Sequence, residues 1–108
     1  MNRREVVVAD TTPLNYLILI QREAILASIF GTVLIPHAVM DELLHPNAPL
    51  AVSQWIRELP EWAQITPTQH IDPTIQLGKG ENEAISLALE RQLNVVLIDE
   101  RLGRTAAE

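Results

Sequence analysis

The sequence predicts an α/β protein in which a parallel sheet is covered by helices on both faces, and three observations lead there. Short β-branched runs without polar alternation occur at Val6-Val7-Val8-Ala9, Val33-Leu34-Ile35 and Val95-Val96-Leu97-Ile98, the pattern of strands buried on both sides. Segments of helical period lie between them, so strands and helices alternate along the chain. With 108 residues, 47% of them hydrophobic and 20% charged, the chain is expected to form one domain, residues 1–108, with its own core.

The first strand, Val6 to Ala9, ends at Asp10. Thr12-Pro13 reads as an N-cap followed by proline at the first helical position, which opens a helix to about Ile20. A second helix is expected from Arg22 to Phe30, stopped at Gly31, and Val33 to Ile35 is the next strand. Pro36 then starts a helix to about His45, ended by the His45-Pro46-Asn47-Ala48-Pro49 loop. Leu50 to Glu58 is helical, Trp62 to Thr66 is the third strand, and Pro67 to Leu77 is an irregular connection. Gly78-Lys79-Gly80 leads into a helix from Glu81 to Gln92, and Val95 to Ile98 is the fourth strand, ending at Asp99.

Composition narrows the chemistry. The absence of cysteine excludes disulfides, zinc–thiolate sites and thiol nucleophiles. The apolar run after the N-terminal arginines is too short for a signal peptide, and no stretch approaches the ~20 residues of a membrane span. A cytoplasmic protein without a membrane association is expected. The net charge of −6 opposes a broad basic surface for nucleic acid, unless several of the 14 acids converge on a site where divalent cations neutralise them.

Two acids stand where such a site belongs. In open parallel sheets functional groups gather beyond the carboxyl ends of the strands, and Asp10 and Asp99 each follow a strand directly. Each alone is equally readable as a turn former or helix cap. In the helix from Glu81 the apolar stripe reads as Ala84, Ile85, Ala88 and Leu89. Glu81 falls near its middle and Glu83 almost opposite, so Glu81 is expected to face the sheet and Glu83 water. In the helix from Pro36, Asp41 and Glu42 flank the stripe at similar angles, and periodicity does not choose between them.

In order, Val8-Ala9-Asp10-Thr11-Thr12-Pro13-Leu14, Ile35-Pro36-His37-Ala38-Val39-Met40-Asp41-Glu42-Leu43, Gly80-Glu81-Asn82-Glu83-Ala84-Ile85 and Leu97-Ile98-Asp99-Glu100-Arg101 resemble the successive motifs of PIN-domain proteins. The likeness is closest to a prokaryotic branch related to VapC-type toxins. It implies a three-layer α/β/α fold with a parallel sheet of about four strands. It also implies a metal-dependent ribonuclease whose four acids are Asp10, Glu42, Glu81 and Asp99, thereby selecting Glu42 over Asp41. Thr11 and Thr12 match the hydroxyl residues that follow the family's first acid; Thr11 is assigned to metal or phosphate and Thr12 to the N-cap. The family continues past its fourth acid with a further helix and strand, so the domain looks C-terminally short. The likeness further implies a sheet with the fourth strand beside the first and the fifth outside it, so Val95 to Ile98 would be left as an exposed apolar edge, which predicts self-association.

Clustered carboxylates repel one another unless a cation joins them, and hard oxygen donors suit Mg²⁺ or Mn²⁺. Such ions promote in-line attack of water on a phosphodiester, which leads to hydrolysis with a 3′-hydroxyl product. Lys79, Arg101 and Arg104 are placed to hold the RNA backbone. Partners implied are RNA, an antitoxin protein and a second copy of the chain. The alternative is a non-catalytic PIN relic that serves as an interaction module. A haloacid-dehalogenase-like phosphotransferase needs a second aspartate where Thr12 stands, Gly78-x-Gly80 lacks the remainder of a dinucleotide loop, and His37, His45 and His70 lack metal-site spacing. With Tyr16, Phe30, Trp55 and Trp62 as the aromatic residues, base stacking is not expected to drive recognition.

Overall fold

A computed structural model of the protein describes residues 6–69, 79–93 and 96–97. Its elements are β1 (Val6–Ala9), α1 (Thr11–Leu19), α2 (Ile25–Ile29), β2 (Thr32–Pro36), α3 (His37–Leu43), α4 (Leu50–Arg57), β3 (Ala63–Thr66), α5 (Lys79–Glu90) and β4 (Val96–Leu97). The alternation expected from the sequence is present. The β1, β2 and β3 strands form a parallel sheet, with Val7 beside Val33 and Val33 beside Ala63. Of the expected fourth strand, the described residues include only Val96 and Leu97, which pair in parallel with Val8 and Ala9. The resulting order is β3-β2-β1-β4. From β1 the chain steps outward through β2 to β3 and then returns to the other side of β1. That reversal is where open parallel sheets form their crevice.

Alternate side chains of each strand point to opposite faces, and both faces are covered. Val7, Ala9, Val33, Ile35 and Ala63 pack with Leu14, Ile18, Leu26, Val39, Leu43, Val52 and Ile56 from the helices α1 to α4. On the other face Val8 and Leu34 pack with Ala84, Leu87 and Ala88 of α5. Burial of a Val or Leu side chain is worth ~1.5–3 kcal/mol, so both faces stabilise the sheet and no polar alternation can appear in β1 or β2. Among the described residues no helix is long and apolar enough to cross a membrane.

Three local expectations are corrected. The second helix begins at Ile25, not Arg22. Gln21 takes a left-handed φ of 59°, its N–H donates to Ile18 O, and the Arg22 N–H donates to Leu17 O at 2.8 Å. This closing motif uses Arg22 to satisfy the end of α1, so it cannot begin α2. The N-cap of α1 is Asp10 rather than Thr12, because the helix starts at Thr11.

The third correction concerns the face of α5. Its buried residues are Gly80, Glu83, Ala84, Ser86, Leu87 and Ala88, whereas Leu89 is 63% exposed. The stripe thus runs through Gly80, Ala84, Leu87 and Ala88, rotated by roughly a quarter-turn from the one expected. Glu83, expected to face water, is buried at 7% exposure. Glu81 is half-buried at the margin of the stripe instead of at its centre. The physical reason is that α5 packs against α3 as well as against β1 and β2, which draws the Gly80/Glu83 edge of the helix inward.

Candidate functional site

Asp10 directly follows β1 and occupies the N-cap position of α1, with extended backbone angles of φ −92° and ψ 174°. An aspartate there ordinarily accepts a hydrogen bond from the first turn. Here its side chain makes no cap bond. The residue is 2% exposed, and Oδ1 is shut off from solvent. A buried carboxylate that does not cap its helix is poorly explained as a turn former.

What Asp10 faces is disclosed by Gly80, the second residue of α5. A Cβ added at Gly80 would lie 2.8 Å from Glu42 Oε1, 3.0 Å from Asp10 Oδ1 and 3.2 Å from Thr11 Oγ1. Residues from β1's end, from α1, from α3 and from α5 therefore converge on one point. No glycine among the described residues has a positive φ, so Gly80 serves here by its missing side chain, which lets two carboxylates approach the helix backbone. The Thr11 hydroxyl donates to Glu42 Oε1 and so orients that carboxylate. Glu42, on the last turn of α3, is the acid of the Asp41/Glu42 pair that reaches this point.

Glu81 lies beside Gly80 in the first turn of α5, and its Oε2 is also closed off from solvent. Lys79 is exposed at the start of the same helix. Asp99, Arg101 and Arg104 lie outside the described residues. Among the described residues no group of three or more His, Asp or Glu side chains is gathered closely enough to hold a metal ion. The arrangement on view is two carboxylates and a hydroxyl, an all-oxygen donor set of the kind that suits a hard divalent cation.

Other polar candidates have local duties. His45 Nδ1 accepts the Asn47 N–H at 3.0 Å, a turn contact. Trp55 and Trp62 pair with ring centroids 5.9 Å apart, partly buried against the core. Periodicity does not single out two residues whose surroundings are close here, Gly80 and Glu83. The Glu83 Oε1 accepts the backbone N–H of Ala38 at 3.1 Å. Leu87 was the available signal, because a stripe drawn through it passes along the Gly80/Glu83/Ala84 edge.

A family model described as a PIN domain matches residues 6–108. No curated protein matches the chain, and no solved structure does.

Proposed function

The chain belongs to the PIN-domain family, whose members are generally nucleases, and from that premise we propose that it is a divalent-metal-dependent endoribonuclease of the toxin-like type. The observation that supports this most is the convergence of Asp10, Glu42 and Thr11 on the bare backbone of Gly80. In this reading Asp10 and Glu42 hold Mg²⁺ or Mn²⁺, with Glu81 and Asp99 as further carboxylates. Such an ion, when bound, stabilises charge on a phosphoryl oxygen and makes water a competent nucleophile near neutral pH.

The chain's own residues prepare that chemistry. Burial of Asp10 keeps its carboxylate directed inward in a low-dielectric position, where attraction to a cation is stronger than in water. The Thr11 hydroxyl fixes the rotamer of Glu42, so that this otherwise exposed carboxylate is held ready instead of searching its rotamers. Lys79 offers a cation beside the site, and in the proposal Arg101 and Arg104 join it on the RNA backbone. Phosphate contacts of this kind are sequence-independent and weaken as salt rises.

Single-stranded RNA is expected to be cut in the presence of Mg²⁺ or Mn²⁺, to leave 3′-hydroxyl ends, and to be spared in EDTA. Gel analysis of a defined oligonucleotide checks this. Cleavage that persists undiminished in EDTA would overturn the reading.

A further inference from the structure

We infer that Glu83 is a positioning residue that sets the distance between the two halves of the carboxylate site, an inference that rests on the metal-dependent reading above. The first N–H groups of a helix lack acceptors within it. The N-cap position of α3 is Pro36, whose ring can accept nothing, and the first turn of α3 contains no acid. Glu83 supplies the acceptor from another element: its buried carboxylate takes the Ala38 N–H at 3.1 Å. A carboxylate at this end of the helix is favoured by both the hydrogen bond and the helix dipole.

The contact matters because of what each helix carries. The α3 helix bears Glu42 on its last turn, and α5 bears Gly80 and Glu81 in its first. Glu83 follows Gly80 by three residues and shares its buried face, so one bond between Glu83 and Ala38 ties together the two helices that meet at Glu42 and Gly80. With only 2.8 Å between Glu42 Oε1 and the Cβ position of Gly80, a small slip of α3 along α5 would open or crush the site. Glu83 acts through Ala38 and α3, and nothing in this role requires it to touch the ion.

The role is separable from that of a ligand by chemistry. Glutamine keeps the carbonyl oxygen that accepts an N–H but loses the charge that holds a cation; leucine fills the space and loses both. The experiment is Mn²⁺ titration calorimetry on wild type, Glu83→Gln and Glu83→Leu, with Glu81→Gln as the ligand control, together with amide hydrogen exchange in EDTA. Glu83→Gln is expected to bind within about two-fold of wild type and Glu83→Leu about ten-fold more weakly, in line with the effect of residues that orient ligands. Ala38 should keep its exchange protection in Glu83→Gln and lose it in Glu83→Leu. A loss in Glu83→Gln as large as that in Glu81→Gln would make Glu83 a ligand and overturn the inference. Wild-type affinity in Glu83→Leu would overturn it as well, by reducing the contact to local stability. If wild type binds no Mn²⁺, the metal reading fails separately, and Glu83 is judged on exchange alone: equal protection of Ala38 in all variants sinks it.

Discussion

Asp10→Asn is expected to abolish the response of the protein to Mn²⁺ while leaving the fold intact. At an ion concentration 100-fold above the dissociation constant, binding to the native state contributes ~2.7 kcal/mol, which for a domain of this size raises the melting temperature by on the order of 10 °C. Replacement of one acid by its amide should erase that rise and lower the RNA-cleavage rate by about 100-fold or more, beyond what loss of an orienting residue costs. The substitution discriminates well because asparagine caps a helix as well as aspartate does. Were Asp10 only a cap or turn former, the variant would behave as wild type in every assay. Differential scanning calorimetry with and without Mn²⁺ measures the effect, and a retained Mn²⁺ shift in Asp10→Asn would remove Asp10 from the site.

Gly80→Ala should have the second-largest effect, with the opposite dependence on charge, since it alters no ionisable group. Its methyl would stand 2.8 Å from Glu42 Oε1 and 3.0 Å from Asp10 Oδ1, closer than ordinary van der Waals contact permits. Glu42 ends a flexible side chain and can swing away, whereas Asp10 is enclosed. The helix itself gains from alanine, by up to ~1 kcal/mol at an interior position and less at this terminal one. Stability should thus change little while the two carboxylates are forced apart, and Mn²⁺ affinity should fall about ten-fold or more, as expected when ligands lose their preset geometry. Calorimetric titration beside a thermal melt checks it. Unchanged affinity in a folded Gly80→Ala protein would mean that the close approach at Gly80 has no part in ion binding.

Much of the fold was legible because of how it is buried. Strands covered on both faces have nowhere to place a polar residue, so β1 and β2 stand out as unbroken apolar runs, and the helices between them imply parallel pairing. Strand order was legible only through the family likeness, which sets the fourth strand beside the first as Val96 and Leu97 stand beside β1; nothing local in those two residues specifies it. The face of α5 was misread for a physical reason: three of the buried residues there are Gly80, Ala84 and Ala88, small side chains that allow close helix packing but weigh little in a hydrophobic stripe, while the larger Leu89 is exposed. With the stripe misplaced, Glu83 was assigned to solvent. Its partner is a backbone N–H 45 residues away, which no periodicity encodes. Asp10 could be singled out because it ends a buried strand. Gly80 could not, because a glycine ahead of a helix reads as a turn until the carboxylates around it are seen.

The central claim is that the carboxylates beside Gly80 hold a divalent cation. Anomalous diffraction from crystals of the wild-type protein grown or soaked in Mn²⁺ tests it most directly. The account predicts an anomalous peak at coordination distance from both Asp10 and Glu42, lost in crystals of Asp10→Asn. Ordered Mn²⁺ elsewhere on the molecule, with Asp10 and Glu42 bare at saturating ion, would contradict it.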